Sequence, residues 1–252
     1  VLAQETAGTL APLPTVAEPD GSLSLLYNPA GLSTLSGWEL RLINTQLDNR
    51  QGEGTSALFG IPVYGPLAVG TGFEFMRPHD APSHFRFSLG LALQPTEFLH
   101  LGVGYHYISS DERDGLDGTH SVDFGLLIRP TWWVSLGITA SDLNTPKIDG
   151  VVVPRAYGFA AAFRPGTEKV VLEVGAEIEE DDADVQAIAR LRSMPVDGFE
   201  FGIRAALSPN GDDVDVDLGV SLGFHFGAAS LEGAAFTSRK AGRDLGFDGF
   251  SV

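Results

Sequence analysis

Residues 214–226 set a pattern that most of the chain repeats. Val214, Val216, Leu218, Val220, Leu222, Phe224 and Phe226 alternate with Asp215, Asp217, Gly219, Ser221, Gly223 and His225. A period of two puts the first set on one face of a strand and the second on the other. Phe85, Phe87, Leu89, Leu91 and Leu93 alternate in the same way with His84, Arg86, Ser88, Gly90 and Ala92. So do Val122, Phe124, Leu126 and Ile128 with Ser121, Asp123, Gly125, Leu127 and Arg129. Alternation predicts strands near 37–48, 55–64, 66–77, 84–95, 98–109, 119–130, 132–142, 155–164, 168–179, 184–194, 199–208, 213–226, 229–238 and 246–252. No amphipathic-helix period interrupts the series, so the class is all-β. Residues 1–36 stand apart, with Pro12, Pro14, Pro19 and Pro29, few aromatics and no sustained alternation.

The connections carry a second pattern. Every other one is tight and rich in Gly or Pro, as at Gly65-Pro66, Gln94-Pro95-Thr96, Arg129-Pro130-Thr131, Arg164-Pro165-Gly166, Pro195-Val196-Asp197-Gly198 and Gly227-Ala228. Between them lie longer or more charged ones: 48–54, 77–83, 111–118, 142–154, 179–184 and 239–247. Aromatic residues mark both strand ends. Trp38, Tyr64, Phe98, Trp132, Trp133, Phe163, Phe199 and Phe226 fall beside the short turns, and Phe73, Phe75, Phe85, Tyr105, Tyr107 and Tyr157 toward the long loops. Short and long connections in alternation, with two aromatic girdles, predict an up-and-down antiparallel transmembrane β-barrel of about fourteen strands over residues 37–252. An N-terminal plug, or hatch, over residues 1–36 precedes it.

Composition narrows the function. A net charge of −17 leaves no basic stripe for nucleic acid. The absence of cysteine suits a closed sheet in a Gram-negative cell envelope. No apolar run approaches the roughly 18 residues of a membrane helix, which says nothing against a barrel. The opening Val1-Leu2-Ala3-Gln4 reads as the tail of a cleaved signal peptide.

With the apolar face on lipid, the other face lines a lumen crowded with small residues, among them Gly70, Gly90, Gly102, Gly125, Gly137 and Gly175. Two readings stand: room for the first 36 residues, or easier strand curvature. Lumen charges are expected in complementary groups, with Glu173, Glu177 and Glu179 on one strand, Arg190 and Arg192 on the next, and Glu200 and Arg204 on the one after.

Catalytic signatures are missing: there is no Gly-x-Ser-x-Gly elbow, no His-Glu-x-x-His and no thiol. His79, His84, His100, His106, His120 and His225 lack metal-ligand spacing. Asp213-Val-Asp215-Val-Asp217 lies within a strand pattern and lacks the glycine of a calcium loop. Neither an enzyme, a cofactor nor a metal is expected.

At Asn28-Pro29-Ala30-Gly31-Leu32, directly before the first strand, the chain resembles the Asn-Pro-Ala-Gly-Leu segment of FadL-type outer-membrane proteins. That superfamily contains the long-chain fatty-acid transporters and the related PorV-like barrels. The resemblance implies a fourteen-stranded barrel with a hatch containing these five residues. It also implies a passive conduit or binding site for small hydrophobic molecules, in contact with outer-membrane lipid. The loops here are shorter and more acidic than in the fatty-acid transporters. More loosely, Leu89-Gly90-Leu91-Ala92-Leu93, Ile128-Arg129-Pro130 and Val151-Val152-Val153-Pro154-Arg155 resemble the barrel region preceding a signal-peptide-peptidase-type serine protease. That likeness implies a membrane anchor for a C-terminal domain of the same natural chain. A soluble lipid-binding β domain is the third expectation.

Overall fold

The computed structural model describes residues 15–19, 21–47, 52–77, 83–110, 115–148, 150–180, 185–210, 213–226, 229–239 and 246–252. Much of the expected acidic loop set, the turn Gly227-Ala228, His79 and residues 1–14 of the expected hatch lie outside the described residues.

The strands in chain order are β1 (Glu39–Leu47), β2 (Gly52–Tyr64), β3 (Leu67–Arg77), β4 (His84–Thr96), β5 (Leu99–Ser110), β6 (His120–Thr131) and β7 (Val134–Ser141). A small hairpin follows, β8 (Lys147–Ile148) with β9 (Val151–Val152). Then come β10 (Ala156–Phe163), β11 (Val170–Glu179), β12 (Val185–Val196), β13 (Phe199–Asn210), β14 (Asp213–Phe226), β15 (Ala229–Arg239) and β16 (Gly246–Ser251). Among the described residues, fourteen of these close into one barrel: each pairs antiparallel with its neighbour along the chain, β10 joins β7, and β16 returns to β1. The fold is therefore an antiparallel fourteen-stranded β-barrel.

Proline explains the irregularities at one end of the wall. Register shifts by one residue between Pro62 and Tyr64, Leu93 and Thr96, Ile128 and Thr131, and Ser193 and Val196. Each interval contains a proline: Pro62, Pro95, Pro130 or Pro195. Proline has no N–H to give to the ladder, so it is accommodated where a bulge interrupts pairing. All four stand beside the short turns, where Gly65 and Gly198 supply φ of 56° and 83°.

Alternation decides the two faces. On β4, His84, Arg86, Ser88, Gly90 and Ala92 are buried, while Phe85, Leu89, Leu91 and Leu93 are exposed. The outer face carries Trp38, Tyr64, Phe98, Trp132 and Phe226 beside the short turns and Phe73, Phe75, Phe85, Tyr105 and Tyr107 toward the other end. A continuous apolar exterior of this extent is unstable in water and stable in a bilayer, where a closed sheet leaves no backbone edge unpaired.

The core lies inside the wall, against the N-terminal segment. Thr15–Glu18 and the helical turns Gly21–Thr34 pack on inward-facing side chains. Leu25 and Leu32 cluster with Ala68 and Ala92, and Leu23 with Ile43 and Leu58. At the opposite end, residues 143–148 and 150–155 fold back so that Ile148 and Val153 cover Ile108 and Leu116.

Candidate functional site

Asn28 organises the segment inside the barrel. Its side chain is fully buried, and its Oδ1 accepts a hydrogen bond from the Ala30 N–H (3.2 Å). Its Nδ2 donates to the Val16 carbonyl (2.8 Å) and to the Leu126 carbonyl of β6 (3.3 Å). Pro29 then starts a helical turn through Thr34, pre-set by its fixed φ. At Gly31 a Cβ would overlap the Pro19 carbonyl, so glycine lets two parts of the segment meet.

The small residues of the wall answer to this segment. A Cβ on Gly102 would run into the backbone of Pro29 and Ala30, one on Gly125 into the Asn28 side chain, the Pro29 ring and the Ala30 nitrogen, and one on Gly137 into Val16 and Ala17. Gly70 and Gly90 leave room for Leu25 and Leu32. Gly175 is different: the nearest atoms to a Cβ there belong to Phe159 and Ala160 of the wall itself. Five of these glycines thus make room for the N-terminal segment, and Gly175 makes room for its own wall.

Polar anchors fasten the segment at its start. Glu173 on β11 accepts from Thr15 Oγ1 (2.5 Å) and from the N–H groups of Val16 (3.1 Å) and Ala17 (3.3 Å). Ser135 Oγ donates to the Ala17 carbonyl (2.5 Å), and Glu18 pairs with Arg164 beside a short turn. Ser22 Oγ donates to Glu39 (2.7 Å), and Ser33 Oγ lies 2.8 Å from His100 Nδ1.

The expected ladder of lumen charges forms only in part. Glu173 stands opposite Arg190 and meets it at 3.5 Å. Arg190 is also in register with Arg204, a like-charged pair, which corrects the expectation of unlike partners throughout. Glu177 faces Gln186, Arg192 lies between Val171 and Gly202, and Glu200 lies 3.5 Å from His225 Nε2. Side-chain type along one strand does not set register across three.

A second network escaped sequence reading. Ser88 Oγ and Arg86 Nη2 lie 2.7 Å and 3.0 Å from His106 Nδ1, and His106 Nε2 lies 3.0 Å from Asp123 Oδ2. Arg86 Nε is 3.5 Å from Glu74, and Asp123 Oδ1 accepts from the Asp142 N–H (3.1 Å). The usable signal was already in the alternation, which sends Arg86, Ser88, Ser121 and Asp123 inward together. Ser88 is fully buried, so this histidine-centred chain braces four strands and does not present a nucleophile. Among the described residues no His, Asp and Glu group has the makings of a metal site.

Between the N-terminal segment and the wall lies a cavity of about 280 Å³. Val16, Leu26, Tyr27, Ile108 and Ile188 give it apolar surface; Arg86, Asp123, Asp142, Glu173, Glu177, Glu179 and Arg204 give it charge, and His106 lies among them. Pro154 brings the folded-back loop to its border, beside Ala156 at the start of β10. Asp142, at that loop's start, has a left-handed φ of 57°. Burial pushes its carboxyl above the ordinary range; a hydrogen bond from Ser121 opposes this, and the Asp123 charge reinforces it.

No protein-family model matches this sequence, and no curated protein is significantly similar to it. Solved structures do match in fold. A Pseudomonas aeruginosa FadL homologue has a TM-score of 0.63 at 11% identity, covering 98% of this chain and 97% of that one. The monoaromatic hydrocarbon channel CymD scores 0.62 at 10% identity over 94% and 92% of the two chains. The Pseudomonas putida toluene transporter TodX scores 0.60 at 11% identity over 97% and 96%. The likeness runs through nearly the whole of each molecule, so this chain has the fold of the FadL-type outer-membrane barrels.

Proposed function

We propose that the protein is a passive conduit or binding site for small hydrophobic molecules in the outer membrane of a Gram-negative-type cell, with residues 1–36 as its hatch and residues 37–252 as its barrel. The observation that carries this reading is the cavity of about 280 Å³ between the N-terminal segment and the wall, with apolar side chains from both. Pockets for small molecules are typically of this kind, apolar with a few placed polar groups. The names of the similar structures, a toluene transporter and a monoaromatic hydrocarbon channel, support the ligand class. Asn28, Pro29, Ala30, Gly31 and Leu32 hold the hatch together in this reading, and membrane lipid is the outer partner. No energy-coupling or catalytic motif is present in the sequence, so passage is diffusive and the barrel is not itself an enzyme.

Photolabelling in lipid nanodiscs tests the site. A neutral aryl diazirine should mark Tyr27, Ile108 and Ile188 inside the barrel as well as lipid-facing side chains such as Leu222. Excess toluene should suppress the inner labels and spare the outer ones. Inner positions that stay unlabelled, or labels that toluene does not suppress, would remove the cavity from the proposal.

A further inference from the structure

The cavity is more acidic than a site for neutral or anionic hydrophobic molecules requires. Five carboxylates line it, Asp123, Asp142, Glu173, Glu177 and Glu179, against the guanidinium groups of Arg86 and Arg204. Three of these seven groups have partners already described: Glu173 pairs with Arg190, Arg86 with Glu74, and Asp123 is hydrogen-bonded with His106. Asp142 has a hydrogen bond from Ser121 with Arg86 nearby, and Glu177 shares the Arg204 charge with Glu173 and Asp217, so the carboxylates of the lining outnumber its guanidinium groups. The register gives Glu177 only uncharged neighbours, Gly158 on β10 and Gln186 on β12, and sets Glu179 against Ala156. Glu177 is exposed within the lumen and Glu179 half-buried, so both can meet an incoming solute, and the surplus attracts a cation and repels an anion. The apolar surface of Leu26, Tyr27, Ile108 and Ile188 lies on the same cavity, and the Tyr27 ring can take a cation on its face.

We propose that the preferred occupant of this cavity is a cationic amphiphile, an organic ammonium carrying a small apolar body, and that fatty or aromatic carboxylates are disfavoured. The inference rests on the binding-site reading above and goes beyond it in naming the charge of the ligand. Burial of the Asp142 carboxyl agrees with it, since an ammonium beside that group would stabilise its ionised form.

Three molecules of one shape separate the two readings: toluene, benzylamine (protonated at neutral pH) and benzoate, each competing at low salt against the neutral diazirine for the inner positions of the full chain. The expected order is benzylamine, then toluene, then benzoate, with about tenfold between the first and last, as one or two weakly screened charges would produce. Glu177→Gln with Glu179→Gln should bring benzylamine and benzoate together. Benzylamine competing no better than benzoate while toluene competes would overturn the charge inference alone. Failure of all three would overturn the binding site with it. A preference for benzylamine that survives the double substitution would take these two carboxylates out of the account.

Discussion

Glu173 and Arg190 stand opposite each other on β11 and β12, 3.5 Å apart, and the same carboxylate holds the hydroxyl of Thr15 and the N–H groups of Val16 and Ala17. One buried side chain thus links the wall to the segment inside it. Removing a partner from a buried ion pair leaves the other charge uncompensated, at a cost of about 3–5 kcal/mol. Glu173→Ala should therefore lower the urea midpoint for unfolding in detergent and open residues 15–36 to protease. Intact resistance to both would show that the segment is held by its apolar contacts alone.

Gly125→Val should dislodge the segment without opening the wall. Its Cβ would meet the Asn28 side chain, the Pro29 ring and the backbone nitrogen of Ala30, and the ring and backbone cannot rotate away as a side-chain tip could. The expected result is increased protease cleavage within residues 15–36 with the strands of the barrel still protected. Gly65→Ala, at a turn with nothing near its Cβ, should leave the segment protected and weaken only the turn, whose φ of 56° disfavours a side chain.

The two faces of β14 should differ sharply in what they tolerate. Leu222 is exposed on the outer face, and arginine near a bilayer midplane costs about 2–4 kcal/mol. Leu222→Arg should lower stability in lipid by that order. If refolding in bilayers showed no penalty, this face would not be in contact with lipid.

Asp142 makes the attachment of residues 143–148 and 150–155 depend on pH. Its carboxyl is raised in the folded protein relative to its ordinary value of 3.8. A raised folded value contributes stability that is complete below 3.8 and is lost as the pH climbs through the folded value. Hydrogen exchange at Ile148 and Val153 should therefore be slower at acid pH than at neutral pH after correction for intrinsic rates. Asp142→Asn should flatten that difference.

Much of the fold was legible because its signals are local. Alternation over nine or more residues, punctuated by Gly and Pro, placed every barrel strand within a few residues of where it lies, including β14 at 213–226. The hairpin of β8 and β9 was not visible, since strands of two residues have no period to read. The site was legible only as a list of inward residues. Which of them meet depends on register across neighbouring strands, and the one-residue shifts at the prolines alter that register. Hence acidic and basic groups on β11 and β12 could be expected to face each other, whereas the pairing of Glu173 with Arg190, Arg190 facing Arg204 and the chain from Glu74 through His106 to Asp123 required the structure.

Uptake of a neutral aromatic fluorophore by Gram-negative cells tests the central claim most directly. Cells carrying the full chain in their outer membrane should accumulate it faster than cells without it. Ala160→Trp, which fills the cavity, should abolish the gain. Equal uptake with and without the protein, or a gain untouched by filling the cavity, would contradict a conduit through this lumen.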